Sequence, residues 1–249
     1  MMLKQNLPNA LTLSNLLCGC LAIQQLLAGD SEWVPWLIIL AGIFDFFDGL
    51  LARALKVSSP IGKDLDSLAD MLTFGVLPAF MAFRLIAEAT VSNLNPGEEV
   101  TNYFLSFPAS FALFIAVFSA FRLAKFNHDT RQTSSFIGMP TPANALFWLG
   151  LFVGFHAEIF PMPTAWVMAA IALLSALVLV MEVPMFSFKL KSFGWKGNEY
   201  QLILLILSIP IFLWIKLAAF APCIVLYFVL SLIKMLTETK QIKSNIDSN

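Results

Sequence analysis

Apolar segments long enough to cross a bilayer recur along the whole chain, and they constrain its fold more than any other feature. Hydrophobic residues make up 59% of the 249 residues and charged residues only 12%, whereas about 25% of an average soluble domain is charged. Mean hydropathy is +0.80. A helix needs about 20 mainly apolar residues to span roughly 30 Å of hydrocarbon. The sequence therefore predicts an all-α fold, a polytopic membrane helix bundle.

We expect about eight transmembrane helices in a single domain, residues 1–236, followed by a polar cytoplasmic tail, residues 237–249. The predicted helices cover residues 11–28, 33–55, 62–87, 107–126, 142–160, 164–183, 201–217 and 218–236. The last two are the least defined, because Pro210, Lys216 and Pro222 interrupt one long apolar run.

The basic residues are distributed unevenly over the predicted connections. All but Arg84 and Lys216 of the 15 Lys and Arg residues fall on one side of the membrane, and the alternate connections hold mainly Asp and Glu. By the positive-inside rule, both termini and the connection between the second and third helices face the cytoplasm. No cleavable signal sequence is expected, because residues 9–27 carry polar side chains throughout. The net charge of −1 gives no sign of a nucleic acid partner, and none is expected.

Residues 45–70 concentrate charge between two of these apolar segments. Asp45 and Asp48 are three residues apart on the second predicted helix, and Asp66 and Asp70 are four apart on the third. Each pair therefore lies on one helix face. The short connection makes the two helices antiparallel neighbours, so the two pairs can converge near the cytoplasmic ends. Charged residues inside a membrane are costly, so a functional site is the first interpretation.

The chemistry of this stretch favours a divalent cation and a phosphate-bearing ligand. Four carboxylates repel one another strongly unless cations lie among them, and oxygen ligands suit Mg²⁺ or Mn²⁺. Gly49, Ala52 and Gly62 have no bulk to block a ligand, and Arg53 offers a bidentate donor for a phosphate oxygen. A cation transporter is the alternative, but it explains the carboxylates without explaining the small residues and the arginine.

The whole pattern, D-x-x-D-G-x-x-A-R-x8-G-x-x-x-D-x-x-x-D from Asp45 to Asp70, resembles the signature of the CDP-alcohol phosphotransferases, with all the fixed positions present. The resemblance implies a membrane helix bundle with a cytoplasmic-facing site that transfers a phosphatidyl-type group from a CDP-linked lipid to an alcohol and releases CMP. It implies that one or two divalent metal ions are bound by Asp45, Asp48, Asp66 and Asp70, and that Asp70 is also the general base. It implies a CDP pocket formed largely by Gly49, Ala52, Arg53, Gly62 and Asp66.

Stretches that flank the signature or overlap its end are similar to those of bacterial family members that use serine. They are residues 8–19, 66–79, 122–127 with 140–143, and 187–189. This resemblance implies CDP-diacylglycerol as donor and L-serine as acceptor, a location in the bacterial inner membrane among its lipids, and a homodimer. Another acceptor, such as glycerol 3-phosphate or inositol phosphate, remains open. Gly150 and Gly154 form a small-residue pair of the kind found at helix interfaces.

Further polar residues near the predicted inner face each have two interpretations, one as part of a binding site and one as a structural element. A stripe at spacings of three on the first helix either contacts the nucleotide or metal site or makes interhelical hydrogen bonds; it consists of Asn9, Thr12 and Asn15. Candidates to bind the serine carboxylate are Arg122, Asn127 and Arg131, although an arginine at a cytoplasmic helix end is also a common topology anchor. Asp64 points away from Asp66 and is expected to be solvated.

Overall fold

Helices make up nearly all of the chain in the structure, a computed structural model that describes residues 2–57, 59–92, 107–128, 136–187, 194–195 and 197–247. The α-helices in these ranges are α1 Met2–Ala28, α2 Val34–Leu55, α3 Pro60–Asp70, α4 Leu77–Ser92, α5 Leu113–His128, α6 Thr141–His156, α7 Ala165–Val180, α8 Glu199–Ile215 and α9 Phe220–Asp247. A π-helix, Met71–Val76, joins α3 to α4, and 3₁₀-helices at Phe107–Ala112 and Lys216–Ala219 precede α5 and α9. Two short strands, β1 Phe136–Ile137 and β2 Pro184–Met185, pair antiparallel.

The predicted all-α membrane bundle is confirmed, whereas the number of membrane crossings stays a prediction. Five helical stretches of the described chain are long and apolar enough to cross a bilayer, namely Asn6–Ala28, Val34–Leu55, Pro60–Val91, Phe107–His128 and Glu199–Glu238. The 16 residues of α6 and of α7 extend only about 24 Å each, less than the hydrocarbon thickness. The chain also turns at Lys216–Ala219, where α8 gives way to α9. The predicted polar tail continues α9 as helix to Asp247.

The connections predicted to share the cytoplasmic side lie at one end of the bundle. The Lys63 ammonium at the start of α3 donates to the Asn127 carbonyl at the end of α5, with an Nζ–O distance of 3.2 Å. Strands β1 and β2 join the α5–α6 connection to the α7–α8 connection. The Tyr200 and Thr237 hydroxyls, 3.1 Å apart, join the start of α8 to the late part of α9. We call this the site end of the bundle.

Helices α1, α5 and α6 all pack against the π-helix Met71–Val76. It begins directly after Asp70, and the Leu77 amide donates to the Leu72 carbonyl five residues earlier. Pro78 follows at once; it has no N–H to donate, and its ring would collide with the carbonyl four residues earlier in a regular α-helix. A wider turn at this point relieves that collision, and such π-turns are frequent at functional sites.

Small residues let α1 and α5 approach the π-helix closely. A methyl group on Gly19 of α1 would lie 2.5 Å from the Thr73 hydroxyl, and one on Gly75 would lie 2.9 Å from the Ser119 Cβ atom of α5. The Thr73 hydroxyl donates to the Asn15 carbonyl of α1 at 3.3 Å. Any larger residue at either glycine would therefore push these helices apart.

The apolar core fills the bundle between α4, α5, α6 and α7. Four of the six buried residues of α7 are alanines, which allow close helix packing; they are Ala165, Ala169, Ala172 and Ala176. The buried Trp148 of α6 donates its indole N–H to the Ser175 hydroxyl of α7 at 3.1 Å. Gly150 packs against Ala221 of α9 and Gly154 against Phe160. Both glycines therefore pack against residues of the same chain. They give no support to the homodimer, which stays a prediction.

Candidate active site

The turn between α2 and α3 brings the two predicted carboxylate pairs together. Helix α2 ends at Leu55, and Lys56 follows in the left-handed conformation with a φ of 52°. Helix α3 begins after Ser59, whose hydroxyl accepts a hydrogen bond from the Gly62 amide at 3.0 Å. Pro60 occupies the first helical position, where a missing N–H costs nothing. The local sequence therefore specifies a tight helix–turn–helix with both Asp pairs facing inward.

Three of the four predicted aspartates form a compact group. Asp45, Asp48 and Asp66 each offer a carboxylate oxygen, and these atoms all lie within 4.8 Å of one another. Asp70, one turn beyond Asp66, has its carboxyl group within hydrogen-bonding reach of that of Asp45. Its Oδ1 atom is buried and has no hydrogen-bond partner in the described part of the chain. The predicted convergence of the four carboxylates is thus observed in the structure.

These carboxylates fit a hard divalent cation. Half-buried carboxylates in contact repel one another unless a proton or a cation lies between them. Mg²⁺ and Mn²⁺ are bound by carboxylate oxygens, and the buried, unpartnered Asp70 Oδ1 is one that a cation or a substrate proton would satisfy. The residues present therefore suit the predicted metal, although their roles as ligands stay predictions.

A cleft of about 360 Å³ opens beside the carboxylates at the site end. The residues predicted from the sequence that line it are Asn9, Thr12, Asp45, Asp48, Gly49, Ala52, Gly62 and Asp66. Pro8, Val57, Ser59 and Lys63 line it as well and were not predicted. For Lys63, the sequence signal that could have predicted a place in the cleft was its position directly after Gly62 of the signature. This volume suits a polar head group, while Asp70 lies outside the lining.

The first helix contributes directly to the carboxylate group. The Thr12 hydroxyl donates to Asp48 Oδ2 at 2.5 Å, and both side chains are buried. Asn9 Oδ1 lies 3.1 Å from the point where a Cβ atom on Gly62 would be placed. Of the polar stripe, Asn9 and Thr12 therefore face the cleft, while Asn15 lies deeper and is fully buried.

The two glycines of the signature differ in their surroundings. A Cβ atom on Gly62 would meet the Ser59 hydroxyl at 3.0 Å, whereas one on Gly49 would find its nearest neighbour, the Arg53 guanidinium, only at 4.0 Å. Gly62 thus permits the close approach of α1 and α3, and Gly49 leaves open space in the cleft. That open space is what a phosphate-bearing ligand requires beside the backbone.

Arg53 does not line the cleft in the structure. Its side chain is exposed, and its Nε atom donates to the Gly49 carbonyl of its own helix at 2.9 Å. The guanidinium would have to turn from this position to contact a nucleotide. Its predicted part in the CDP pocket therefore stays a prediction. Asp64 is exposed, as expected from its helical position.

The candidate acceptor-binding residues are separated by the fold. Arg122 of α5 is only 7% exposed and lies within electrostatic range of the Asp70 carboxylate and of Tyr227 on α9. The Asn127 amide instead donates to the Ser67 hydroxyl at 2.8 Å and so ties α5 to α3. Arg131 lies outside the described residues. Of the three candidates, Arg122 is the one that the structure places near the carboxylates.

Comparison with known proteins gives consistent names. A family model described as CDP-alcohol phosphatidyltransferase matches residues 5–214. A Bacillus subtilis protein named CDP-diacylglycerol–serine O-phosphatidyltransferase is 36% identical over 137 residues, which cover 55% of this chain and 69% of that protein. Proteins of the same name from Helicobacter pylori and Methanocaldococcus jannaschii are each 33% identical, over 141 and 139 residues. These two matches cover 54% and 56% of the relatives, so the chain spans about half of their length.

Proposed function

The chain belongs to the CDP-alcohol phosphatidyltransferase family, and from this premise we propose that it transfers the phosphatidyl group of CDP-diacylglycerol to L-serine, giving phosphatidylserine and CMP. The observation that carries the proposal is the group of Asp45, Asp48 and Asp66, with Asp70 interacting with all three, beside a cleft lined by the small residues of the signature. The names of the relatives support serine as the acceptor.

The position of the cleft suits a lipid-linked nucleotide. It opens at the end of the bundle where the basic connections lie, which the positive-inside rule assigns to the cytoplasm of a bacterial inner membrane. The acyl chains of the donor can then remain in the bilayer while the CDP head group enters the cleft. Gly49 and Ala52 leave room for the diphosphate beside α2, and Asn9 and Thr12 bound the cleft from α1.

The carboxylates would hold the divalent cation that this chemistry uses. Asp45, Asp48 and Asp66 would hold it from the cleft side and Asp70 from the interior, which agrees with their observed grouping. When bound, Mg²⁺ or Mn²⁺ supplies charge neutralisation for the diphosphate and for the leaving CMP. Thr12 would hold Asp48 in place through the hydrogen bond already present.

Asp70 is the residue we assign to proton transfer. The serine hydroxyl oxygen attacks the β-phosphorus, a new P–O bond forms, and the bond from that phosphorus to the bridging oxygen breaks, so that CMP leaves with that oxygen. The hydroxyl proton passes to the Asp70 carboxylate, and the interactions of Asp70 with the other three carboxylates support this assignment. A serine hydroxyl is a weak nucleophile near neutral pH, so a positioned base contributes substantially to the rate.

The same site would support transfer to another alcohol, and CMP release separates these possibilities. Purified protein in liposomes would be given CDP-diacylglycerol, Mn²⁺ and, in parallel, L-serine, glycerol 3-phosphate or inositol phosphate. We expect CMP release with serine and the matching lipid product. Release with a different acceptor would keep the phosphatidyltransferase activity and replace serine. No release with any acceptor from folded, metal-loaded protein would contradict the proposal and favour the cation transporter, because a transporter does not consume the nucleotide.

A further inference from the structure

The cleft beside the carboxylates has an uneven distribution of charge. Its described lining contains three acidic side chains, those of Asp45, Asp48 and Asp66, and a single basic one, that of Lys63. A diphosphate would bring further negative charge to the same place. Opposite charges at close range attract strongly where water is partly excluded, so an anionic ligand in this cleft gains from a nearby fixed positive charge.

The start of α3 is the part of the cleft that suits an anion. Arg53, whose place in the signature predicts a phosphate contact, donates instead to the Gly49 carbonyl and is absent from the described lining. Lys63 lines the cleft from the first turns of α3, one residue after Gly62. Ser59, at the N-terminus of the same helix, lines it as well. A helix N-terminus adds a partial positive charge to that of the ammonium.

The Lys63 ammonium forms one of two hydrogen bonds between α3 and α5 in the described residues. It donates to the Asn127 carbonyl, in the last turn of α5, at 3.2 Å. The second bond runs from the Asn127 side-chain amide to the Ser67 hydroxyl at 2.8 Å and does not involve Lys63. The Lys63 side chain is exposed, and an ammonium has three N–H donors. It can therefore turn toward a ligand while the Ser67–Asn127 bond keeps the two helices together.

A phosphate oxygen is a stronger partner for this ammonium than the carbonyl. The Asn127 carbonyl offers the partial charge of a helix C-terminus, whereas a phosphate oxygen is ionised and makes a charge-assisted hydrogen bond. The position of Lys63 is also suitable, because Asp66 lies three residues later, about 4.5 Å further along the axis of α3. A diphosphate that extends from the carboxylate group toward the site end of the bundle would therefore pass Lys63.

We propose, resting on the proposed function, that Lys63 binds the diphosphate of the donor nucleotide. In the free protein its ammonium bonds to the Asn127 carbonyl, and with the donor in the cleft it bonds to a diphosphate oxygen. Donor binding thus releases one described hydrogen bond between α3 and α5 and keeps the other, at Ser67. Lys63 recognises the donor and takes no part in proton transfer, which stays with Asp70.

The test has to separate this role from a purely structural one, because a cation at a helix C-terminus is a common stabilising feature. The two roles differ in the ligands that they affect. If Lys63 only holds the end of α5, its loss weakens every ligand of the cleft alike, and Ser67→Ala, which removes the neighbouring bond, has the same effect. If Lys63 contacts the diphosphate, its loss weakens only ligands that carry phosphate.

Binding of CDP and of cytidine to Mn²⁺-loaded protein in detergent makes this separation, because the two probes differ by the diphosphate alone. Lys63→Met removes the charge and keeps the length of the side chain. We expect it to raise the Kd for CDP about tenfold, the size of one lost hydrogen bond to a charged group, and to leave the Kd for cytidine within about twofold. Lys63→Arg keeps a cation and should bind CDP more tightly than Lys63→Met. The KM for CDP-diacylglycerol should change in parallel with the Kd for CDP.

Two variants serve as controls. Lys125→Met makes the same change at a lysine of α5 that pairs with Glu182 at 2.9 Å and is absent from the described lining of the cleft. Ser67→Ala removes the Ser67–Asn127 bond and leaves Lys63 in place. Both should bind CDP and cytidine as the wild-type protein does.

An unchanged affinity of Lys63→Met for CDP would overturn the proposal. Equal losses of affinity for CDP and cytidine would also overturn it, as would a loss of CDP affinity in Ser67→Ala equal to that in Lys63→Met, since both results indicate a structural role. Lys63→Gln gives the same comparison if Lys63→Met does not fold. Wild-type protein that binds neither probe would instead contradict the proposed function, before any variant is compared.

Discussion

The Thr12 hydroxyl of α1 lies 2.5 Å from the Oδ2 atom of Asp48 on α2. Thr12 is 4% exposed and Asp48 is 6% exposed, so water competes little for this hydrogen bond. A hydroxyl that donates to a carboxylate makes a short and comparatively strong bond. The first helix, which contributes nothing to the signature between residues 45 and 70, therefore helps to orient one of its carboxylates.

Thr12→Val should lower kcat/KM for phosphatidyl transfer by roughly tenfold. The substitution keeps the branched shape and removes one hydrogen bond to a charged group, which is worth about 1.5–3 kcal/mol. Initial rates of CMP release at limiting CDP-diacylglycerol measure the effect. Ser14→Ala serves as the control, because the Ser14 hydroxyl donates to the Ala10 carbonyl of its own helix. Equal rates for Thr12→Val and Ser14→Ala would show that the Thr12–Asp48 bond is dispensable.

Gly62→Ala should weaken donor binding. The new Cβ atom would lie 3.0 Å from the Ser59 hydroxyl and 3.1 Å from Asn9 Oδ1. Both side chains line the cleft, and both would have to shift by a few tenths of an ångström to admit the methyl group. We expect the KM for CDP-diacylglycerol to rise several-fold. Gly42→Ala is the matched control on α2, since its Cβ atom would make an ordinary contact of 3.9 Å with Phe74. A donor KM unchanged in Gly62→Ala would mean that the cleft tolerates the methyl group.

The carboxylate pairs could be predicted from the sequence, because their arrangement depends only on residues that are close together in the chain. Spacings of three and four residues fix the shared helix face of Asp45 with Asp48 and of Asp66 with Asp70, and the short turn with its Ser59 cap fixes their approach. The helices could be predicted in the same way, from the length of each apolar segment. Both inferences use neighbours in the sequence and need no tertiary contact.

The rest of the site depends on packing between distant segments. The π-helix at Met71–Val76 arises where Pro78 and the close contacts with α1 and α5 meet. Arg122 comes within electrostatic range of Asp70 only because α5 packs against that π-helix. Arg53 shows the converse: its place in the signature suggested a phosphate contact, but its side chain is held by the Gly49 carbonyl.

Asp70→Asn should reduce kcat by about 10²–10⁴, the range contributed by a general base. The amide keeps the shape and cannot take the serine proton. Asp64→Asn, an exposed aspartate on the same helix, should leave kcat unchanged. Single-turnover CMP release with saturating serine measures the chemical step. A kcat within a few-fold of wild type would remove Asp70 from the role of base.

Glu88→Gln should lower stability without lowering activity. Glu88 on α4 pairs with Arg84 at 2.8 Å and with His156 of α6 at 3.5 Å. Arg84 also donates to the Leu26 carbonyl in the last turn of α1 and to the Gly29 carbonyl just after it. This cluster lies at the end of the bundle opposite the site end. Loss of the ion pairs should cost about 1 kcal/mol and lower Tm by a few degrees. A large loss of kcat in Glu88→Gln would show coupling between the two ends.

Asp45→Asn should change stability in opposite directions with and without a divalent cation. In chelator-treated protein the substitution removes one of the mutually repelling carboxylates, so Tm should rise relative to wild type. Mn²⁺ should stabilise the wild-type protein by binding its folded state, by about 2.7 kcal/mol at a hundredfold excess over Kd, and should stabilise Asp45→Asn much less. The order of the two melting temperatures is then reversed by the cation.

Thermal melts of both proteins across a Mn²⁺ titration measure this reversal. Asp64→Asn is the control and is expected to follow wild type. Equal Mn²⁺-induced shifts in wild type and Asp45→Asn would mean that Asp45 is not a ligand of the cation, and no shift in either protein would mean that the carboxylate group holds no cation.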